Sequence, residues 1–193
     1  ILLFASINGV AKSFLNEMFH IIKCLDDPIG DPITVPNFLL AKEAKKDVNV
    51  IFNGEGGDPC FGGPKNIPMM LSQIYSDQKE KYFIEKYYLK SYKKCYEILP
   101  YMLSENTLKT LESEYEPIEE YVSKNLAEGK LSTFLDKLMY LNVKMKGVHH
   151  ILVKVDKMTS ANGISAIAPI FTPDITNFSF KIPAKLKLNG REE

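Results

Sequence analysis

Gly54-Glu55-Gly56-Gly57-Asp58 combines the two ingredients of a phosphate or metal site. Glycines expose backbone N–H groups and let the main chain approach a ligand closely. Glu55 and Asp58 set carboxylates beside those amides. That pairing makes chemical sense where Mg²⁺ bridges carboxylate to phosphate, or where one acid handles a proton. Phe61-Gly62-Gly63 lies just beyond. Alone, such a run more often marks a tight turn with solvated acids. A strand immediately before it brings the two readings level. The second constellation is Ile151-Leu152-Val153-Lys154-Val155-Asp156-Lys157-Met158. Lys154 and Lys157, three apart, share a helix face with Asp156 close by. A lysine fixed beside a carboxylate can grip phosphate as a point charge, although by spacing alone this is an ordinary exposed helix.

Other groups point to chemistry less strongly. Between Lys79 and Tyr101, lysines 81, 86, 90, 93 and 94 interleave with tyrosines 82, 87, 88, 92 and 96. That could stack RNA bases, but an amphipathic helix with packed tyrosines and solvated lysines is the commoner cause. His149 and His150 are adjacent, so on a helix they point about 100° apart and cannot share one metal. Cys60 has no histidine near it in sequence and reads as a small buried hydrophobe.

The elements that must position these residues follow from periodicity and punctuation. Ser13 is a plausible N-cap for a helix to Leu25, with Phe14, Met18, Ile21, Ile22 and Leu25 at helical spacing. Asp26 to Pro32 then breaks regular structure, and Pro36 suits the first turn of a helix to about Lys46. Val48 to Phe52 is a short β-rich run, read as a buried, central parallel strand ending in the glycine turn. Ligands of parallel sheets sit beyond such strand ends. From Met69 the chain reads as nearly all helix: Met69 to about Leu99 as one helix or two, then Pro117 to near Gly129. A helix capped by Ser132 or Thr133 is expected to close at Gly147, and Val148 to Ala161 to form another. Ile1 to Phe4 looks like a further buried strand. A chain opening on Ile1 in such a strand, and ending on polar Gly190 to Glu193, suggests a fragment. There is no internal repeat.

Composition bounds the class. The 193 residues are 45% hydrophobic and 25% charged, the mix of one globular domain. Lys plus Arg and Asp plus Glu both number 24, and a neutral chain is a poor general nucleic-acid binder. No apolar run reaches the roughly 20 residues of a membrane span. Ile1 to Ile7 is too short for a signal peptide and lacks a basic leader. Three scattered cysteines, Cys24, Cys60 and Cys95, fit a reducing cytoplasm.

The motifs also occur in a telling order. Asp27-Pro28-Ile29-Gly30-Asp31-Pro32 precedes a helix, then Asn53 to Asp58, then Phe61-Gly62-Gly63. Ile151 to Met158 precedes Ser160-Ala161 and Pro169-Ile170-Phe171, and Ile182-Pro183-Ala184-Lys185-Leu186-Lys187-Leu188 closes the series. Together they resemble the synthetase domain of glutamine-hydrolysing asparagine synthetases, over about Phe14 to Phe61 and Leu138 to Gly190. The resemblance implies an α/β fold, with a parallel sheet of the ATP-pyrophosphatase (adenine nucleotide alpha hydrolase) type and a largely helical C-terminal half. It would occupy residues 1–193, incomplete at the N-terminal pyrophosphate loop and the C-terminus. The implied activity is an ATP-dependent amide-forming ligase that adenylates the aspartate side chain, releases pyrophosphate and lets ammonia displace AMP. By resemblance Glu55, Asp58 and Lys154 are catalytic. Asn53, Gly54, Gly56, Gly57 and Asp156 bind the nucleotide, and Asp58 is the Mg²⁺ ligand. ATP and Mg²⁺ would be the cofactors. Aspartate or a related carboxylate and ammonia would be substrates, in the cytoplasm, with no nucleic acid or membrane. A glutaminase domain, upstream or as a separate chain, and a homodimer are compatible with it.

The sequence also departs from that pattern. The family's Ser-Gly-Gly-x-Asp-Ser loop is absent, and Ser6-Ile7-Asn8-Gly9, after a strand-like run, reads either as its vestige or as a splice across a gap. Asn53 stands for a serine, Pro59 and Asn142 for acids, Pro64 for a tyrosine, and Ser165 and Ile167 for Glu and Arg. The chain as it stands is therefore expected not to make asparagine. The alternative it leaves open is a diverged or non-catalytic member retaining at most nucleotide binding.

Overall fold

The computed structural model describes residues 10–27, 29–63, 70, 82–90, 98–114, 117–127 and 131–188. The expected strand at Ile1 to Phe4, the segment Ser6 to Gly9, Pro64 and much of the lysine–tyrosine stretch lie outside them. The chain divides into two compact units. One comprises Ile1–Gly57 and Val143–Asn177, the other Asp58–Asn142 and Phe178–Glu193.

The first unit is built on α1 (Val10–Cys24), α2 (Thr34–Ala44) and α9 (Val153–Ser160). Helical spacing puts Ile21 and Leu25, Val35 and Phe38, and Met158 on facing sides, where they form one buried cluster. Each such side chain removed from water stabilises the unit by about 1.5–3 kcal/mol. Helix α1 begins at Val10, so Ser13 lies inside it and is not its cap. Pro36 is the third residue of α2, where its missing N–H is harmless. Strands β1 (Val50–Phe52) and β2 (Ser165–Ile167) pair in parallel, with Val50 opposite Ser165 and Phe52 opposite Ile167.

Among the described residues the sheet has only these two strands. The expected burial of the strand at Val48 to Phe52 is corrected, while its expected central place in the sheet turns on the strand at Ile1 to Phe4, which lies outside the described residues. Ile51 is half-buried, but Val50 is 49% and Phe52 74% exposed, because nothing described covers the outward face.

The second unit is helical. It holds α4 (Phe83–Lys90), α5 (Leu99–Met102), α6 (Glu105–Glu114), α7 (Ile118–Ala127), α8 (Phe134–Leu141) and α11 (Ala184–Lys187). The short α3 (Gly57–Phe61) and α10 (Pro173–Lys181) straddle the boundary between the units. Helix α7 packs on α4 and α8, burying Val122, Leu126, Tyr88, Leu135, Leu138 and Met139. Thr133 caps α8 as expected, its hydroxyl accepting from the Asp136 amide. The hydroxyl of buried Tyr88 donates to Asn142 Oδ1 at 3.0 Å, so this tyrosine packs and does not offer a stacking surface.

Gly147 does not end a helix. The backbone runs from α8 through a π-helical stretch, Asn142–Leu152, directly into α9. A mid-helix glycine costs only about 1 kcal/mol relative to alanine, and Gly147 is itself buried.

Candidate functional site

The glycine run leaves β1 as expected, at its carboxyl end. Asn53 continues the ladder by donating its amide to the Ile167 carbonyl at 2.9 Å. Its side-chain Oδ1 then turns back to accept the Glu55 amide at 3.0 Å, an Asx turn that fixes the loop's first bend. The glycines divide into two kinds. At Gly54 and Gly57 an added Cβ would meet nothing within 4 Å, so the space on that side of the main chain is open. Gly56 has φ +106°, and its Cβ would lie 2.6 Å from the Cβ of Phe171. Its missing side chain makes room for Phe171, from the Pro169-Ile170-Phe171 motif. Glu55 is half-buried and Asp58 exposed.

Beyond Gly57 the chain does not stay in a turn. It winds into α3, which accepts Pro59 in its first turn and buries Cys60 completely. Gly62, at φ +101°, sits against Leu135 and Leu188, and the Asp58 side chain fills the space a Cβ would need at Gly63. The Lys187 ammonium reaches Asp136 Oδ1 at 2.8 Å, both residues being buried.

The lysines of α9 find their partners far off in sequence. Lys154 is 4% exposed and donates to Asp31 Oδ2 at 2.9 Å. His150 Nε2 lies 3.4 Å from the same oxygen. Asp31 Oδ1 accepts the Ile33 amide at the start of α2. Lys157 pairs with Asp26 at 2.5 Å. The Asp26-to-Pro32 linker is thus gripped by α9 at both ends. Asp156, expected beside Lys154, is exposed, and the carboxylate that holds Lys154 is Asp31. Spacing within α9 could not reveal this, since the partners are 123 residues apart. The hydroxyl of Thr34, next to Ile33, is buried without a partner.

The electrostatics follow the geometry. Burial pushes the Asp31 carboxyl up. The hydrogen bond from Lys154, the Ile33 amide and the charges of Lys154 and His150 outweigh it and hold it below its ordinary value. Burial, then the charge of Lys154, depresses His150, with Asp31 opposing. Lys157 is raised by its hydrogen bond and charge pairing with Asp26.

Among the described residues no three of His, Cys, Asp and Glu gather as a metal cage. Mg²⁺ does not need one, since it binds through one or two carboxylates together with substrate phosphates and keeps several waters. The Glu55 and Asp58 carboxylates are of the right kind.

A small parallel sheet among helices, with a glycine-rich acidic loop at a strand's carboxyl end, defines a mixed α/β protein. The chain belongs to the asparagine synthase family, whose sequence profile matches residues 7–193. It is 29% identical to asparagine synthetase (glutamine-hydrolysing) 1 of Bacillus subtilis over 91% of its own length and 31% of that protein's. It is 27% identical to a protein of Mycobacterium bovis provisionally named asparagine synthetase (glutamine-hydrolysing), over 92% of this chain and 31% of that one. The chain thus spans about a third of the curated relatives it matches. No solved structure matches it significantly. No described helix is long and apolar enough to cross a membrane.

Proposed function

We propose that this chain is the catalytic part of an ATP-dependent amide-forming ligase. In its complete form that ligase would activate the side-chain carboxylate of aspartate as an acyl adenylate, with release of pyrophosphate, for attack by ammonia; this chain as it stands, without the Ser-Gly-Gly-x-Asp-Ser loop, is expected to bind the nucleotide but not to complete the reaction. One observation carries the reading in a chain of this family. Lys154 presents a buried ammonium of which Asp31 takes only one hydrogen bond. An ammonium has three donors, and buried donors are rarely left unspent. Oxygen-rich anions such as a polyphosphate would use the other two.

In this reading Lys154 neutralises charge on the phosphates as the leaving group departs, and the open amides of Gly54 and Gly57 donate to phosphate oxygens. Gly56 keeps the loop in shape, and Asn53 sets its bend. Glu55 takes a proton from the attacking ammonia. Asp58 offers a carboxylate to Mg²⁺, and Asp156 supports the nucleotide from α9. Mg²⁺, when bound, adds positive charge where the phosphates develop negative charge. Ammonia could come from a glutaminase domain.

The test is calorimetry of Mg-ATP on the whole chain, with pyrophosphate release on adding aspartate and ammonium. Lys154→Met and Asp58→Asn should each weaken Mg-ATP binding tenfold or more, and omitting Mg²⁺ should do the same. Unchanged binding in both variants would refute the reading. A second reading, a diverged member that binds nucleotide without ligating, is favoured by Asn53 and Pro59, which stand where the family has a serine and an acid. Tight Mg-ATP binding without aspartate-dependent pyrophosphate release would establish it.

A further inference from the structure

We infer that Asp31 is a positioning residue for Lys154, with His150 as the second group seated on the same carboxylate oxygen. The inference rests on the reading above only for its effect on nucleotide binding; the clamp itself can be read separately.

Three observations carry it. First, Asp31 is anchored before it meets the lysine. Its Oδ1 accepts the Ile33 amide and its carbonyl accepts the Thr34 amide, so the carboxylate is fixed to the start of α2. Second, Oδ2 receives Lys154 Nζ at 2.9 Å, with His150 Nε2 at 3.4 Å. One carboxylate therefore ties α2, the π-helical stretch and α9 at a point. Third, the Lys154 side chain is only 6% exposed, against 25% for Asp31. A buried ammonium on a four-carbon stem has many rotamers and needs a partner to choose among them. Asp156, exposed on the same helix, does not supply one. Asp31 spends one donor and leaves two aimed by that choice, which is pre-organisation for an anion and not its replacement.

Lysine acetylation by a mild acylating reagent, followed by mass spectrometry of the full chain, reads the clamp directly. In the wild-type protein Lys154 should react at least tenfold more slowly than exposed Lys46. Asp31→Asn should raise its rate at least tenfold, and Asp31→Glu should restore much of the protection. Lys46 should not change in either. Equal rates for Lys154 and Lys46 in the wild-type protein would overturn the inference even if Asp31→Asn fails to fold. So would unchanged protection in a folded Asp31→Asn protein, or no rescue by glutamate.

Calorimetry with Mg-ATP separates the two claims. A tenfold loss of affinity in both Lys154→Met and Asp31→Asn, recovered in part by Asp31→Glu, supports positioning. Loss in Lys154→Met alone overturns it. No loss in Lys154→Met brings down the phosphate role, while the acetylation rates still decide the clamp.

Discussion

At Gly56 a single missing side chain is doing two jobs: its φ of +106° suits only glycine, and its Cα side faces Phe171. Gly56→Ala should cost at least about 2 kcal/mol from backbone strain and the collision together, lowering Tm by roughly 4–8 °C in calorimetry. Gly54→Ala, with open space around it, should cost less than about 1 kcal/mol. His150 and Asp31 set an acid response. His150 titrates in the fold below its ordinary 6.5, so as pH falls through that value the unfolded chain takes up the proton first and stability drops. Asp31, held below 3.8 in the fold, adds a second loss as pH falls through that range. Above about pH 6.5 neither contributes a slope. Denaturant midpoints from pH 7 to 5 should therefore fall in the wild-type protein and fall less in His150→Gln. An equal decline in both would show that the slope arises elsewhere.

The elements divide into those whose cause is local and those whose cause is distant. The cap at Thr133, the start of α2 near Pro36, the strand before the glycine loop and the helix after Pro117 were legible because each rests on residues within one turn of it. The mid-chain helix boundary at Gly147 was misread, since the penalty of one glycine is small and the backbone winds on without a break from α8 into α9. The partner of Lys154 was illegible for another reason. Ion pairs between α9 and the Asp26-to-Pro32 linker depend on tertiary packing, and within α9 the nearest acid in sequence is the wrong one. The cap and the nearby buried pair give a graded test. Thr133→Ala should cost about 1 kcal/mol. Asp136→Ala should cost about 3–5 kcal/mol, because it strands the Lys187 ammonium, which also touches Met139 Sδ at 3.4 Å and lies over the Phe180 ring. Asp136→Leu combined with Lys187→Met should recover most of that loss in urea denaturation. If the double variant is as weak as Asp136→Ala, stranding of the charge is not the cause.

For the whole molecule, a formal net charge of zero and a pI near 7.0 remove the mutual repulsion that keeps proteins apart. Leu15, Phe19 and Ile22 also lie outward along one stripe of α1, Phe19 being 72% exposed. Light scattering should be greatest near pH 7 and fall on either side, and Phe19→Glu should lower it at pH 7; no change would clear this stripe of a role. Family membership was legible from motif order over about Phe14 to Phe61 and Leu138 to Gly190, whereas the exposure of β1 was not, because a strand's own residues do not report what packs on its outer face. The first unit is assembled from two stretches of chain, up to Gly57 and from Val143. Ile21 and Phe38 share their cluster with Met158, Asp31 pairs with Lys154, and β1 pairs with β2, each of these partners lying in the second stretch. On the ribosome, at roughly 5–20 residues per second, the 85 residues from Asp58 to Asn142 take about 4–17 s to make. For that interval the apolar faces of α1 and α2 exist without Met158, and β1 without β2. The stretch up to Gly57 therefore emerges before the residues that complete its unit, and it is the stretch a chaperone would have to shelter in the meantime.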